Sequence, residues 1–105
     1  MKKIYIAGKY SDTGAVNVLQ NIRLGVETAV KVLLQGNIPF CPFLDCLFVL
    51  IGDSKELTSQ HFRNYSMQWL EVCDEVWFLP NWKNSNGCKA ELARAEELRK
   101  TVIYL

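Results

Sequence analysis

Short apolar runs alternate with longer amphipathic ones along the 105-residue chain. The opening "KIYIAG" is a β-branched and aromatic run that stops at Gly8, the pattern of a strand entering a loop. From Asn17 to Leu34, Val18, Ile22, Val26, Ala29, Val30 and Leu33 recur at helical spacing, and Gly36 and Asn37 supply a stop signal. "NIPFCPF", limited by Pro39 and Pro42, predicts a second short strand. The apolar "LDCLFVLIGD" has no usable period and reads as a short helix or a buried lid. Thr58 to Val72 predicts another helix, with Phe62, Tyr65, Met67, Trp69 and Leu70 along it, and "DEVWFLP" a third strand. A loop from Asn81 to Asn86 then leads into a helical pattern, and "TVIYL" closes the chain as a last strand.

Strands separated by helices predict an α/β fold with a parallel sheet covered on both faces, because parallel strands need crossover connections. The unbroken apolar character of "EVWFLP" and "TVIYL" fits strands buried on both sides. In such sheets ligands bind beyond the carboxyl ends of the strands, where the strand order reverses. The functional loops are therefore expected in "AGKYS", which contains Gly8, Lys9 and Ser11, and in "PNWKNSNG".

One residue violates the pattern of the helix that follows. At about 100° per residue, Cys88, Leu92, Ala95 and Leu98 gather on one side of "NSNGCKAELARAEELRK", while Lys89, Arg94, Glu96, Glu97 and Lys100 lie elsewhere. Glu91 projects inside the apolar sector. A carboxylate turned inward costs free energy unless it is hydrogen-bonded or serves a site. Ser85 or Asn86 can cap this helix, and Gly87 lets the backbone come close to a ligand while the first free amides point outward. Tyr5 on the first strand and Asp74 just before "EVWFL" are candidates to reach the same edge, and Trp82 in the polar loop is a candidate to stack on a base or to meet another subunit.

Composition changes this picture mainly by exclusion. Half of the residues are hydrophobic and 22% are charged, which suits one compact unit with a modest core. A net charge of +1 from interspersed acids and bases gives no electrostatic footprint for a nucleic-acid polymer or an anionic membrane. No apolar run reaches the roughly 18 residues of a spanning helix, and the N-terminal run is too brief for a signal peptide, so a cytoplasmic location is expected. The four cysteines, Cys41, Cys46, Cys73 and Cys88, form no CxxC pair and His61 stands apart, so they read as reduced, mostly buried thiols with no metal site. Cys88, in the first turn of a helix, is where the dipole would favour a thiolate.

The segments "IYIAGKYS", "GNIPFCPF", "MQWLEVCDEVWFLPNW" and "SNGCKAELARAEELRKTVIYL" resemble the nucleoside 2-deoxyribosyltransferase-like superfamily over nearly the whole chain, and within it a small uncharacterised subfamily of phage and bacteria. The resemblance implies a single domain over 1–105, a flavodoxin- or Rossmann-like three-layer sandwich of about five parallel strands, and sites completed by a neighbouring subunit in a homo-oligomer. It implies no cofactor. It makes Glu91 the nucleophile, Tyr5 the residue that orients it, and Asp74 an acid that handles the base. Members acting on free nucleosides tend to carry an aspartate six residues before the nucleophile. This chain has Ser85 there, as in relatives that hydrolyse nucleoside 5′-monophosphates, so Ser85, the amides near Asn86 and Gly87, and Lys9 or Ser11 are expected to hold a phosphate. Lys9 is itself a departure, since close relatives often carry proline. The implied activity is cleavage or transfer at the N-glycosidic bond of a (deoxy)nucleoside or its 5′-monophosphate; the alternative is a module that binds a nucleotide-derived small molecule without turnover.

Overall fold

A computed structural model describes residues 1–51 and 56–105, without the side chains at 44, 46 and 49. The elements run β1 (Lys3–Ala7), α1 (Ala15–Leu34), β2 (Ile38–Phe40), a 3-10 helix (Pro42–Leu50), α2 (Ser59–Val72), β3 (Glu75–Phe78), a 3-10 turn (Trp82–Asn84), α3 (Asn86–Glu97) and β4 (Thr101–Tyr104). The strands form one parallel sheet in the order β2-β1-β3-β4. Among the described residues the sheet has four strands, not about five. These four are the segments whose residues carry strand periodicity, so the fifth came from the resemblance alone. Of the unassigned stretch 44–53, the part to Leu50 belongs to the 3-10 helix, while residues 52 and 53 lie outside the described residues, as does the Cys46 side chain.

Alternation along β1 divides the interior in two, because successive side chains leave opposite faces of a strand. Ile4 and Ile6 join Val32, Cys41, Phe43 and Leu79 under α1. Tyr5 and Ala7 join Leu70, Cys73, Val76, Phe78, Cys88 and Ala95 under α2 and α3. Helices therefore cover both faces, giving the three layers expected of this fold class. Lys100, at the entry to β4, donates from Nζ to the carbonyls of Glu71 and Cys73 at 2.6 Å each, which satisfies acceptors at the end of α2.

The inward face of α1 differs from the one its apolar periodicity suggests. Val26, Val30 and Leu33 are exposed, and the helix instead turns Gly25 and Val32 into the core. A Cβ at Gly25 would stand 2.5 Å from Phe43 Cδ2, so a bare backbone is what admits the Phe43 ring. The exposed apolar strip of α1 borders a shallow concavity of about 520 Å³, formed by side chains of that helix alone. Among the described residues no helix is long and apolar enough to cross a membrane.

Candidate active site

A cleft of about 460 Å³ opens at the carboxyl edge of the sheet, within the range of roughly 300–1,000 Å³ usual for small-molecule sites. Four segments enclose it: the loop after β1, the 3-10 helix after β2, the middle of α2 and the first turns of α3. The edge lies where the chain leaves β1 for β2 on one side and returns to β3 on the other, the switch point of an open parallel sheet. Asn81 ties the two central loops together, with Oδ1 accepting the Lys9 amide at 3.0 Å. Nothing in the sequence pattern marks Asn81 for this role beyond its place in a polar loop.

The start of α3 follows from local chemistry. Ser85, in an extended conformation, accepts the Cys88 amide at 3.1 Å through Oγ, which caps the helix. That bond uses the oxygen as acceptor, and the Ser85 hydroxyl also faces the Cys88 sulfur. A Cβ at Gly87 would meet only Ser85 Oγ at 3.6 Å, so the glycine keeps cleft volume open. Gly8, Lys9, Ser11, Ser85, Asn86, Gly87 and Glu91 all line the cleft. Lys9 Nζ lies 3.5 Å from Asp12 Oδ2, an ion pair that holds the ammonium near the cleft rim.

Glu91 stands one turn into α3, partly buried at the cleft wall. Burial pushes its carboxyl up to about 7; the Tyr5 hydroxyl opposes that rise, the Asp45 carboxylate reinforces it, and the Cys88 thiol opposes it. Tyr5 is fully buried in β1, on the sheet face that carries α3. Its hydroxyl meets no partner at strict hydrogen-bonding geometry, yet burial first, and then the Glu91 carboxylate, hold it well above the ordinary phenol range. The two facts fit a hydroxyl close to Glu91 whose bond is long or poorly aligned, an arrangement common in sites that tighten on binding. Tyr5→Phe is therefore expected to leave thermal stability within about 1 kcal/mol, since it removes an imperfectly satisfied buried hydroxyl. It should raise the Glu91 pKa and slow any reaction needing ionised Glu91 by about tenfold or more. A carboxyl titration by ¹³C NMR checks the first effect, and an unchanged Glu91 titration would remove Tyr5 from the site.

Two sequence candidates fall elsewhere. Asp74 precedes β3 and therefore sits at the amino edge of the sheet, where Oδ2 accepts the Lys3 amide at 2.8 Å. A four-residue strand spans about 13 Å, so Asp74 is separated from the cleft by the length of β3. Trp82 packs between Phe78 and Tyr104, with ring centroids 5.5 and 5.3 Å away, and does not line the cleft. Its amphipathic ring is used to close the core beside β4.

The cysteines correct a further expectation. Cys41, Cys73 and Cys88 are free and buried, but burial pushes the Cys88 thiol up to about 12, so the helix start holds no thiolate. His61 completes a capping box at the start of α2, its ring Nδ1 accepting the Thr58 amide at 3.0 Å.

Several cleft residues carry no sequence signal of their own. Asp45, Arg63 and Ser66 project from the 3-10 helix and from α2. Asp45 lies in an apolar stretch without period, which is why inspection of the pattern passes over it.

A family model described as a domain of unknown function, DUF7768, matches residues 2–105. Nothing among curated proteins matches the chain. Among solved structures, a 2-desoxiribosyltransferase from Leishmania mexicana is similar in fold, with a TM-score of 0.67 at 18% sequence identity. The match covers 100% of this chain and 64% of that one, so the chain spans less than two thirds of that enzyme's length.

Proposed function

The chain belongs to the DUF7768 family, a domain family of unknown function, and from that premise we propose that it cleaves or transfers at the N-glycosidic bond of a (deoxy)nucleoside or its 5′-monophosphate. The observation that carries this reading is the Glu91 carboxyl in the wall of the cleft, beside the buried Tyr5 hydroxyl, at the binding edge of a fold shared with a deoxyribosyltransferase. Cleavage of the bond between C1′ and the base passes through an oxocarbenium-like state. A carboxylate under C1′ stabilises that positive charge and captures it as a glycosyl ester, as in retaining glycosidases. Glu91 is the nucleophile in this reading, and Tyr5 orients it.

The phosphate of a 5′-monophosphate is held by the Ser85 hydroxyl, the first amides of α3 at Asn86 and Gly87, and the rim groups Lys9 and Ser11, while Gly8, bare because a Cβ there would run into the Leu79 side chain, lines the cleft with backbone. The same reading makes residues 1–105 one domain of the nucleoside 2-deoxyribosyltransferase-like superfamily, working without a cofactor in the cytoplasm. It also has the chain self-associate, and the exposed Leu47, Phe48 and Trp69 beside the cleft are apolar enough to support that. A monomer in sedimentation at working concentration would count against self-association.

The test is a chromatographic screen of the protein against deoxynucleosides, ribonucleosides and their 5′-monophosphates, with and without an acceptor base. Release or exchange of base from the monophosphates at a kcat/KM at least about tenfold above the free nucleosides supports both the chemistry and the phosphate contacts. A second reading, a binding module for a nucleotide-derived small molecule, is favoured by a Glu91 carboxyl that is only partly ionised near neutral pH. It predicts no turnover, with nucleotides raising the melting temperature.

A further inference from the structure

We propose that Asp45 is the catalytic residue that protonates the departing base. This assignment rests on the glycosidic reading and supplies the acid that reading lacks once Asp74 is found at the opposite edge of the sheet. Asp45 enters the cleft from the 3-10 helix that follows β2, and Glu91 enters it from α3. Asp45 is partly buried and, among the described residues, has neither a hydrogen bond nor an ion pair. The buried Tyr5 hydroxyl stands behind the Glu91 wall of the cleft, close to Glu91 and Ser66.

Both carboxyls are raised toward neutral pH. Burial pushes the Asp45 carboxyl up to about 6, and its charge helps push Glu91 to about 7. Near neutral pH the two acids thus share a proton that Glu91, the weaker acid, holds for the larger part. The productive form is the minor arrangement, with that proton on Asp45 and the charge on Glu91, an anion that the Tyr5 hydroxyl and the Cys88 thiol favour against burial. The cationic groups facing the same cleft are Lys9, from the loop after β1, and Arg63, from α2.

In the first step the Glu91 carboxylate oxygen bonds to C1′ while the bond from C1′ to the base nitrogen breaks. The electron pair of that bond goes to the base, and the Asp45 proton moves onto it. Asp45 is left as a carboxylate. In the second step a water, or a second base bearing an N–H, attacks C1′ and surrenders its proton to Asp45, and the ester bond to Glu91 breaks. Both carboxyl groups return to their starting states, as microscopic reversibility requires.

The experiment compares 2′-deoxyguanosine 5′-monophosphate with its N7-methyl derivative, whose cationic base departs neutral and needs no proton, each corrected for uncatalysed hydrolysis. Asp45→Asn should slow base release from the unmethylated substrate at least about 100-fold and leave the methylated one within about threefold, while Asp45→Glu recovers part of the loss. In the unaltered protein, kcat/KM for the unmethylated substrate should fall above about pH 7, as the pair loses its shared proton, and the methylated substrate should show no such alkaline limb. The pH comparison needs no variant and so stands even if Asp45→Asn fails to fold. Equal losses on both substrates, or the same alkaline limb for both, would remove Asp45 from proton transfer while leaving Glu91 as nucleophile. If the unaltered protein releases base from neither, the glycosidic reading falls and the role of Asp45 falls with it.

Discussion

Glu91→Gln is expected to abolish base release, lowering kcat/KM at least about 1,000-fold, because an amide neither stabilises the oxocarbenium-like state as an anion nor forms a glycosyl ester. The same change should make the protein more stable above neutral pH. In the unfolded chain the carboxyl titrates near 4.5, and in the folded protein near 7. The folded state thus binds this proton more tightly, so stability falls as pH rises through that window and is lowest, for this group, once the buried carboxylate is fully ionised. Allowing for water in the open cleft, the penalty above pH 7 is on the order of 2 kcal/mol. Thermal scans from pH 5 to pH 8 should show the melting temperature of the unaltered protein falling more than that of Glu91→Gln. Loss of turnover with a gain in stability is the pattern of a group retained for chemistry. Retained turnover in this variant would refute Glu91 as nucleophile.

Gly25→Ala is expected to produce the largest loss of stability. Alanine inside a helix is ordinarily better than glycine by about 1 kcal/mol, so intrinsic preference alone predicts a gain. The packing opposes it. The new methyl would stand 2.5 and 2.7 Å from Phe43 Cδ2 and Cε2 and 3.0 Å from Cys41 Sγ. Phe43 is a rigid ring that is almost fully buried, so the clash is relieved only by moving the backbone that carries it. Overpacking of this kind costs about 1–3 kcal/mol, which for a domain of this size lowers the melting temperature by on the order of 10 °C. Phe43 also lines the cleft, two residues before Asp45, so turnover measured on the remaining folded protein should fall as well. A calorimetric scan decides the matter, and a higher melting temperature would mean that the Phe43 wall yields easily.

The periodic signals in the chain were sufficient for the order of elements and for the strangeness of Glu91. Strand and helix repeats are local properties, set by which side chains must leave water together. The four strands, the Ser85 cap and the polar intrusion on the apolar face of α3 were all legible for that reason. Asp74 was misplaced in that reading, although strand direction carries the answer: a residue preceding a parallel strand starts at the edge opposite the one where ligands bind.

What the tertiary structure alone decided concerns contacts between segments distant in the chain. Val26, Val30 and Leu33 have the spacing of a buried face, but the close approach of Phe43 to Gly25 turns a different side of α1 inward. Trp82 sits in a loop at the binding edge, yet Phe78 and Tyr104 draw its ring into the core. Asp45 has no local pattern at all, and it faces the cleft that Glu91 also lines only because the crossover after β2 places the 3-10 helix on that cleft's wall. The sequence by itself determined the strands, the helices and an inward carboxylate, since these follow from burial patterns within about 20 residues. Which acid faces that carboxylate was decided by chain segments 46 residues apart in number, through a packing geometry that no periodicity along the chain encodes.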